Sequence, residues 1–127
     1  MVSYSISADE GLTVGIYQRL RVRIRAQRYL RKSESCECSF ALACLRKGMN
    51  AVDIGAHKAA YTYWMSRRVG KTGQVLAFEP VPVLADYLQR YARSFGKSNI
   101  RVCPIALSDN TGDTRLRIFR DCLLYTS

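Results

Sequence analysis

Two acidic residues, each at the end of a short apolar run, are the side chains in this 127-residue sequence that are best placed to bind a ligand or take part in a reaction. Asp53 is followed by Gly55 and Ala56, small residues that let a backbone approach a ligand closely, and a helix expected just beyond them would offer free N–H groups. An acid at this turn would repel a pyrophosphate and suits a cationic ligand. Glu79 follows the next apolar run, where an acid can accept hydrogen bonds from both hydroxyls of a ribose.

The turn after Asp53 lacks the G-x-G-x-x-G pattern of a nicotinamide-binding turn. The ammonium and sulfonium groups of S-adenosylmethionine are cations that an acid in this place could bind. Two acids at strand ends with one helix between them indicate nucleoside binding. The cofactor we predict is therefore S-adenosylmethionine.

The elements that must position these acids follow from the apolar pattern. Three short apolar runs predict strands, at 50–54, 74–78 and 100–107. Two helices are predicted between them, at 58–69 and 81–95. This alternation predicts right-handed crossovers and a parallel sheet in an α/β domain. An apolar and basic alternation at 116–119 predicts an exposed strand.

The segment before the first strand predicts a helical lead-in. Residues 1–13 are expected to be loose, 16–32 to form a basic helix and 33–45 a second helix, although the alternation within 21–25 also fits a strand. Four basic residues would share one helix face: Arg21, Arg25, Arg28 and Lys32. That face could contact an anionic surface, or it could be an ordinary solvated face, which is our expectation.

Three blocks of the sequence, in order and at the right spacing, resemble the FkbM-type methyltransferases between about residues 36 and 119. They are the run 48–56 with Tyr61 and Thr62, the run 75–80, and the run 106–109 with Gly112. The resemblance implies a class I methyltransferase fold, a Rossmann-like parallel sheet. It also implies methyl transfer from S-adenosylmethionine to a hydroxyl of a sugar, a glycolipid or another small metabolite.

The resemblance also implies a set of cofactor-binding residues: Asp53, Gly55, Ala56, His57, Thr62, Glu79, Pro80 and Ala106. The first three would lie beside the methionine part, Glu79 would hold the ribose, and the backbone near Ala106 would face the adenine. No catalytic residue is predicted, because the family's later acid-ended strand has no counterpart after Asp109.

Two residues depart from the family's pattern. His57 stands where Asn is common, and it could contact the ligand or cap the helix. Ala59 stands where Gly is common. If the backbone there needs a positive φ, alanine costs about 1 kcal/mol and its methyl could crowd the cofactor. Within the first turn of a helix, alanine would be harmless.

The expected organisation is a helical lead-in at 1–47, an incomplete methyltransferase domain at 48–121 and a six-residue tail at 122–127. The tail resembles the translation of a transposon-end sequencing adapter, so we expect it to be an adapter-derived scar. A chain that stops after the third core strand would leave the first strand with an unpaired edge. We expect it to be inactive by itself.

Composition narrows the other possibilities. An odd number of cysteines, five, argues against a disulfide framework, and we expect reduced, mostly buried thiols. Cys36 and Cys38 have no second ligand pair, and His57 is the only histidine, so no metal is predicted. The sequence has neither a membrane-spanning apolar run nor a secretory signal pattern, which favours a cytoplasmic protein.

Two other functions remain open. The basic lead-in and the net charge of +10 are compatible with an RNA methyltransferase, but interleaved aromatic residues for base stacking are missing, so a nucleic-acid partner is not our expectation. A non-catalytic nucleoside-binding module would bind the cofactor without turnover. The aromatic residues Tyr61, Tyr63 and Trp64 are expected to pack a helix. The oligomeric state is not predicted.

Overall fold

The structure, a computed structural model, describes residues 8–33, 35–113 and 115–116. Its helices are α1 (Ala8–Arg28), α2 (Ser35–Cys44), α3 (Ala60–Val69) and α4 (Pro82–Ser94), and a π-helical turn, Tyr29–Ser33, follows α1. Its strands are β1 (Asn50–Ile54), β2 (Gln74–Phe78) and β3 (Ile100–Cys103). Helices and strands alternate from β1 onward, as the apolar pattern predicts.

The three strands form a parallel sheet in the order β1-β2-β3. Ile54 lies opposite Phe78, and Phe78 lies opposite Cys103, so the three strands end side by side. We call this side of the sheet the carboxyl edge, and the opposite side, where the strands begin, the amino edge. The predicted parallel α/β sheet is confirmed.

One face of the sheet is covered by helices. In β1, Ala51 and Asp53 are buried whereas Val52 and Ile54 are exposed, as expected for a strand whose side chains alternate between faces. The buried side chains of β1 and β2 join those of α3 and α4 in a single core. The face that holds Asp53 is therefore the covered one.

Helix α1 packs across α3 and α4. Val22 and Ala26, both fully buried, are its contribution to the core. The indole Nε1 of Trp64 donates to the Ala26 carbonyl oxygen at 2.8 Å, and Gln18 Nε2 donates to the Tyr87 carbonyl oxygen at 3.1 Å. These bonds fix the helical lead-in against the sheet domain.

The lead-in departs from the prediction in two ways. Helix α1 begins at Ala8, so the expectation of a loose segment at 1–13 is wrong for residues 8–13, and the strand alternative for 21–25 is also wrong. The exposed-strand prediction for 116–119 is wrong at Leu116, which lies outside any strand, and its other residues lie outside the described ranges. The expected six-residue tail also lies outside them.

Two predicted boundaries near the carboxyl edge also differ. Strand β3 ends at Cys103 rather than at 107, because Pro104 has no N–H to continue the ladder. Helix α3 begins at Ala60 rather than at 58, because His57 and Ala59 both adopt a positive φ. In the described part of the chain, no helix is long and apolar enough to cross a membrane.

Candidate functional site

The loop between β1 and α3 has a left-handed backbone at three positions. Gly55, His57 and Ala59 have φ values of 75°, 47° and 68°. Glycine accepts such a value at no cost, and histidine is enriched in this region among non-glycine residues, but alanine is strained there. Of the two alternatives for Ala59, the positive φ is the one found, and α3 starts directly after it.

Glu79 holds this loop against the end of β2. Its Oε2 accepts the backbone N–H of His57 and its Oε1 accepts the backbone N–H of Val81, both at 2.9 Å. The Phe78 carbonyl oxygen accepts the backbone N–H groups of Gly55 and Ala56, at 2.9 and 3.0 Å. With its side chain only 4% exposed, Glu79 is a buried carboxylate that joins two loops.

Asp53 is the second buried acid, 7% exposed at the end of β1. Its Oδ2 accepts a hydrogen bond from Thr62 Oγ1 at 2.5 Å. Burial raises the pKa of the Asp53 carboxyl above its ordinary value; the bond from Thr62 opposes this shift, and the charge of Glu79 adds to it. Among the described residues, Asp53 has no basic ion-pair partner.

A cavity of about 400 Å³, the β1 cavity, opens beside Asp53. Its lining comes from α1 and the adjoining π-helical turn, from the end of β1 and from the β1–α3 loop and the start of α3: Arg25, Tyr29, Asp53, Ile54, Gly55, Ala56, His57, Lys58, Ala60 and Tyr61. Its lining therefore contains both a carboxylate, Asp53, and two cationic side chains, Arg25 and Lys58.

A second cavity, of about 580 Å³, lies at the ends of β2 and β3, and we call it the β3 cavity. Pro80 and Ala106 line it, together with residues of the segments 104–105, 108 and 110–113 and with Leu116. Most of this lining is exposed and belongs to no helix or strand. Both cavities lie at the carboxyl edge of the sheet.

The structure brings the predicted site residues together at this edge, but in different places. Asp53, Gly55, Ala56 and His57 line the β1 cavity, and Pro80 and Ala106 line the β3 cavity. Thr62 and Glu79 line neither cavity; they lie behind the lining, bonded to Asp53 and to the His57 backbone.

The sequence interpretation missed the basic wall of the β1 cavity. Arg25 is half-buried there, and its Nη1 donates to the Lys58 carbonyl oxygen at 3.2 Å. Arg21 is also half-buried and Arg28 is exposed, so the expectation of a solvated basic face is wrong for Arg21 and Arg25. The side chain of Lys32 lies outside the described part. The regular spacing of the arginines was the available signal.

The three aromatic residues of the segment 61–64 differ in their surroundings. Tyr63 is buried and meets Trp64 edge to face at 5.0 Å between ring centroids, which confirms helix packing for these two. Tyr61 instead lines the β1 cavity, with its ring 6.2 Å from that of Tyr29. Tyr61 therefore packs against the helical turn after α1 and also contributes to the lining of the cavity.

None of the described cysteines forms a disulfide, and among them only Cys38 is buried. Cys36 and Cys44 are exposed and Cys103 is half-buried, so the expectation of mostly buried thiols is wrong. No three His, Cys, Asp or Glu side chains of the described residues group together as metal ligands.

No family profile and no curated protein matches the sequence. Solved structures do match the fold. A candidate rRNA methylase from Clostridium thermocellum is 13% identical with a TM-score of 0.56, over 60% of this chain and 41% of that one. A SAM-dependent methyltransferase from Aquifex aeolicus is 19% identical with a TM-score of 0.53, over 72% and 48%. A protein-L-isoaspartate O-methyltransferase is 24% identical with a TM-score of 0.52, over 57% and 23%.

These likenesses establish the fold. The three parallel strands and their helices are the core of the class I methyltransferase fold, as the sequence predicts. The chain spans less than half the length of each of these solved structures. At such low identity the matches do not select the FkbM type among methyltransferases.

Proposed function

We propose that this chain is the cofactor-binding part of an S-adenosylmethionine-dependent methyltransferase of the FkbM type. The observation that carries the proposal is Asp53, a buried carboxylate without a basic partner among the described residues, on the wall of a cavity at the carboxyl edge. A buried carboxylate is costly unless a cation or hydrogen bonds compensate it. The positively charged groups of the cofactor would provide that compensation.

The arrangement of the rest of the edge supports the same ligand. In open parallel sheets, ligands bind outside the carboxyl ends of the strands, where both cavities lie. The methionine part would occupy the β1 cavity and the adenine would occupy the β3 cavity beside Pro80 and Ala106. Glu79, at the end of β2 between them, would turn a carboxylate oxygen toward the ribose, since each oxygen can accept a second hydrogen bond.

When bound, the cofactor supplies an electrophilic methyl group on its sulfonium. The acceptor would be a hydroxyl of a sugar, a lipid-linked sugar or a small metabolite, as the resemblance to the FkbM type implies. The chain's own residues would hold the methionine part in place, and we assign no residue to the removal of the acceptor's proton.

Calorimetric titration of S-adenosylmethionine against the full chain tests the proposal. We expect binding by the wild type and an affinity about 10- to 100-fold lower in Asp53→Asn and in Glu79→Gln, because each loses a charge-assisted contact. Asp86→Asn is the matched control, since Asp86 is an exposed carboxylate paired with Arg90 on α4. Absence of binding by the wild type, or unchanged affinity in both site variants, would contradict the proposal.

An RNA acceptor is the second candidate, favoured by the exposed Arg23 and Arg28 on α1. It predicts methyl transfer to RNA and an RNA affinity that falls steeply as the salt concentration rises. A salt-independent interaction would argue against it. Cofactor binding without turnover on any acceptor, even by a longer gene product, would instead favour a non-catalytic module.

A further inference from the structure

The β1 cavity has a wall that comes from α1, about thirty residues before Asp53 in the sequence. Arg25 is half-buried on this wall and is fixed by its bond to the Lys58 carbonyl oxygen. A guanidinium has five N–H donors, and this bond uses one of them. The side chain is thus positioned at the cavity with donor capacity remaining.

Positive charge accumulates at this wall. Lys58 is only 6% exposed, and it lines the cavity beside Arg25. Burial lowers the pKa of the Lys58 ammonium below its ordinary value, and the guanidinium groups of Arg25 and Arg21 lower it further. Within the described residues, Arg25 has no carboxylate partner. The wall therefore holds cationic groups close together that an anion would stabilise.

The lining of this cavity carries both signs of charge. Asp53 and Arg25 both line it, and no ion pair joins them among the described residues. A phosphate or another simple anion would be repelled by Asp53, and a simple cation would be repelled by Arg25. A ligand that carries an ammonium and a carboxylate on one carbon complements both charges. The α-amino acid end of the cofactor has this arrangement.

We propose that Arg25 binds the α-carboxylate of the methionine part of the cofactor, so that the N-terminal helix completes the cofactor site. This inference rests on the function proposed above. The guanidinium can donate two parallel N–H bonds to a carboxylate, which makes the contact directional as well as electrostatic. Its consequence is that the lead-in belongs to the binding site and sets the preference for a zwitterionic ligand.

Three ligands separate this role from a general contribution to the fold. S-adenosylhomocysteine carries the complete amino acid end. Decarboxylated S-adenosylmethionine lacks the carboxylate and has a positively charged sulfonium in place of the thioether. 5′-Methylthioadenosine lacks the whole amino acid end. Each is titrated calorimetrically against the full chain and against Arg25→Met, Arg25→Lys and Arg28→Met. Arg28 lies on the same helix and is exposed, so its variant controls for net charge.

We expect Arg25→Met to bind S-adenosylhomocysteine about 10- to 100-fold more weakly than the wild type does, because a charge-assisted contact is lost. Its affinity for 5′-methylthioadenosine should stay unchanged, and its affinity for decarboxylated S-adenosylmethionine, which is a cation that Arg25 repels, should not fall. Arg25→Lys should retain part of the affinity, and Arg28→Met should retain all of it.

Two results would overturn the inference while the proposed function stands. One is an unchanged affinity of Arg25→Met for S-adenosylhomocysteine, and the other is an equal loss for all three ligands, which would mean that Arg25 only supports the loop. If the wild type binds none of the three ligands, the proposed function fails, and the role of Arg25 fails with it.

Discussion

The two edges of the sheet differ in how their buried polar side chains are paired. At the carboxyl edge, Asp53 and Glu79 are buried carboxylates and the loop above them has a left-handed backbone at His57 and Ala59. At the amino edge, a buried amide, Asn99, has its polar atoms paired within the protein. The carboxyl edge therefore carries backbone strain and, at Asp53, a buried carboxylate with no basic partner among the described residues, and both are typical of a binding site.

The amino edge is built for packing. Asn99 Nδ2 donates to the carbonyl oxygens of Ser66 and Gly70, both at 2.9 Å, and its Oδ1 accepts from Ser66 Oγ at 3.2 Å. Its own carbonyl oxygen accepts the N–H of Val75 at 2.8 Å. One residue thus connects the end of α3, through its side chain, to the start of β2, through its backbone carbonyl. Substitutions here should change stability, whereas substitutions at the carboxyl edge should change binding.

The largest expected effect is on stability, in Gly73→Ala at the amino edge. An added Cβ would lie 2.4 Å from the Met49 carbonyl oxygen and 2.7 Å from Val69 Cβ, and the first of these is backbone that cannot rotate away. We expect the free energy of unfolding to fall by about 3 kcal/mol. Urea denaturation measures it, with Gly112→Ala as the control, because no atom of the described residues beyond its chain neighbours lies within 4 Å of a Cβ at Gly112.

The comparison of the edges fails if Gly73→Ala is as stable as the wild type, or if its folded fraction binds S-adenosylhomocysteine with a different affinity. The control should match the wild type in stability. A loss in Gly112→Ala similar to that in Gly73→Ala would mean that any added methyl is harmful and that the amino edge is not specifically close-packed.

A smaller effect, of opposite sign for stability and for binding, is expected at Asp53. Because the folded state raises the pKa of this carboxyl, ionising it costs stability as the pH rises from the ordinary value of 3.8 through the raised one. Asp53→Asn, which can keep the bond from Thr62, should therefore be more stable than the wild type by about 1 kcal/mol at neutral pH. Thermal unfolding of both proteins across this pH range measures the difference.

The affinity for the cofactor should change with pH in the opposite direction to the free energy of unfolding. The wild type needs the ionised carboxylate for the cationic end of the ligand, so its affinity for S-adenosylhomocysteine should fall as the pH falls through the raised pKa, above the range expected for an exposed aspartate. In Asp53→Asn the affinity should be low and independent of pH over the same range. A pH dependence that survives in Asp53→Asn would assign the titration to another group.

How well the sequence could predict the structure of these edges depends on how far apart in the sequence the contacting residues lie. β1 and β2 could be predicted to the residue, because short apolar runs end at Gly55 and at Pro80. The two acids could be placed at the carboxyl edge for the same reason. Contacts across the chain could not be predicted. Arg25 on α1 meets Lys58, and Asn99 at the start of β3 meets Ser66 on α3, each across 33 residues. Such contacts form only after the elements that carry them have packed.

The smallest effect is expected at Ala59, which combines the backbone strain of the carboxyl edge with the close packing seen at the amino edge. Its left-handed φ of 68° costs about 1 kcal/mol, which Ala59→Gly would relieve. Its methyl, however, is fully buried in the core and does not line the β1 cavity, so removing it forfeits about 1 kcal/mol of burial. We therefore expect a free energy of unfolding within about 1 kcal/mol of the wild type, and an affinity for S-adenosylhomocysteine within about twofold. A clear gain in affinity would mean that the methyl reaches the cofactor, and that strain and binding at the carboxyl edge are coupled through this residue.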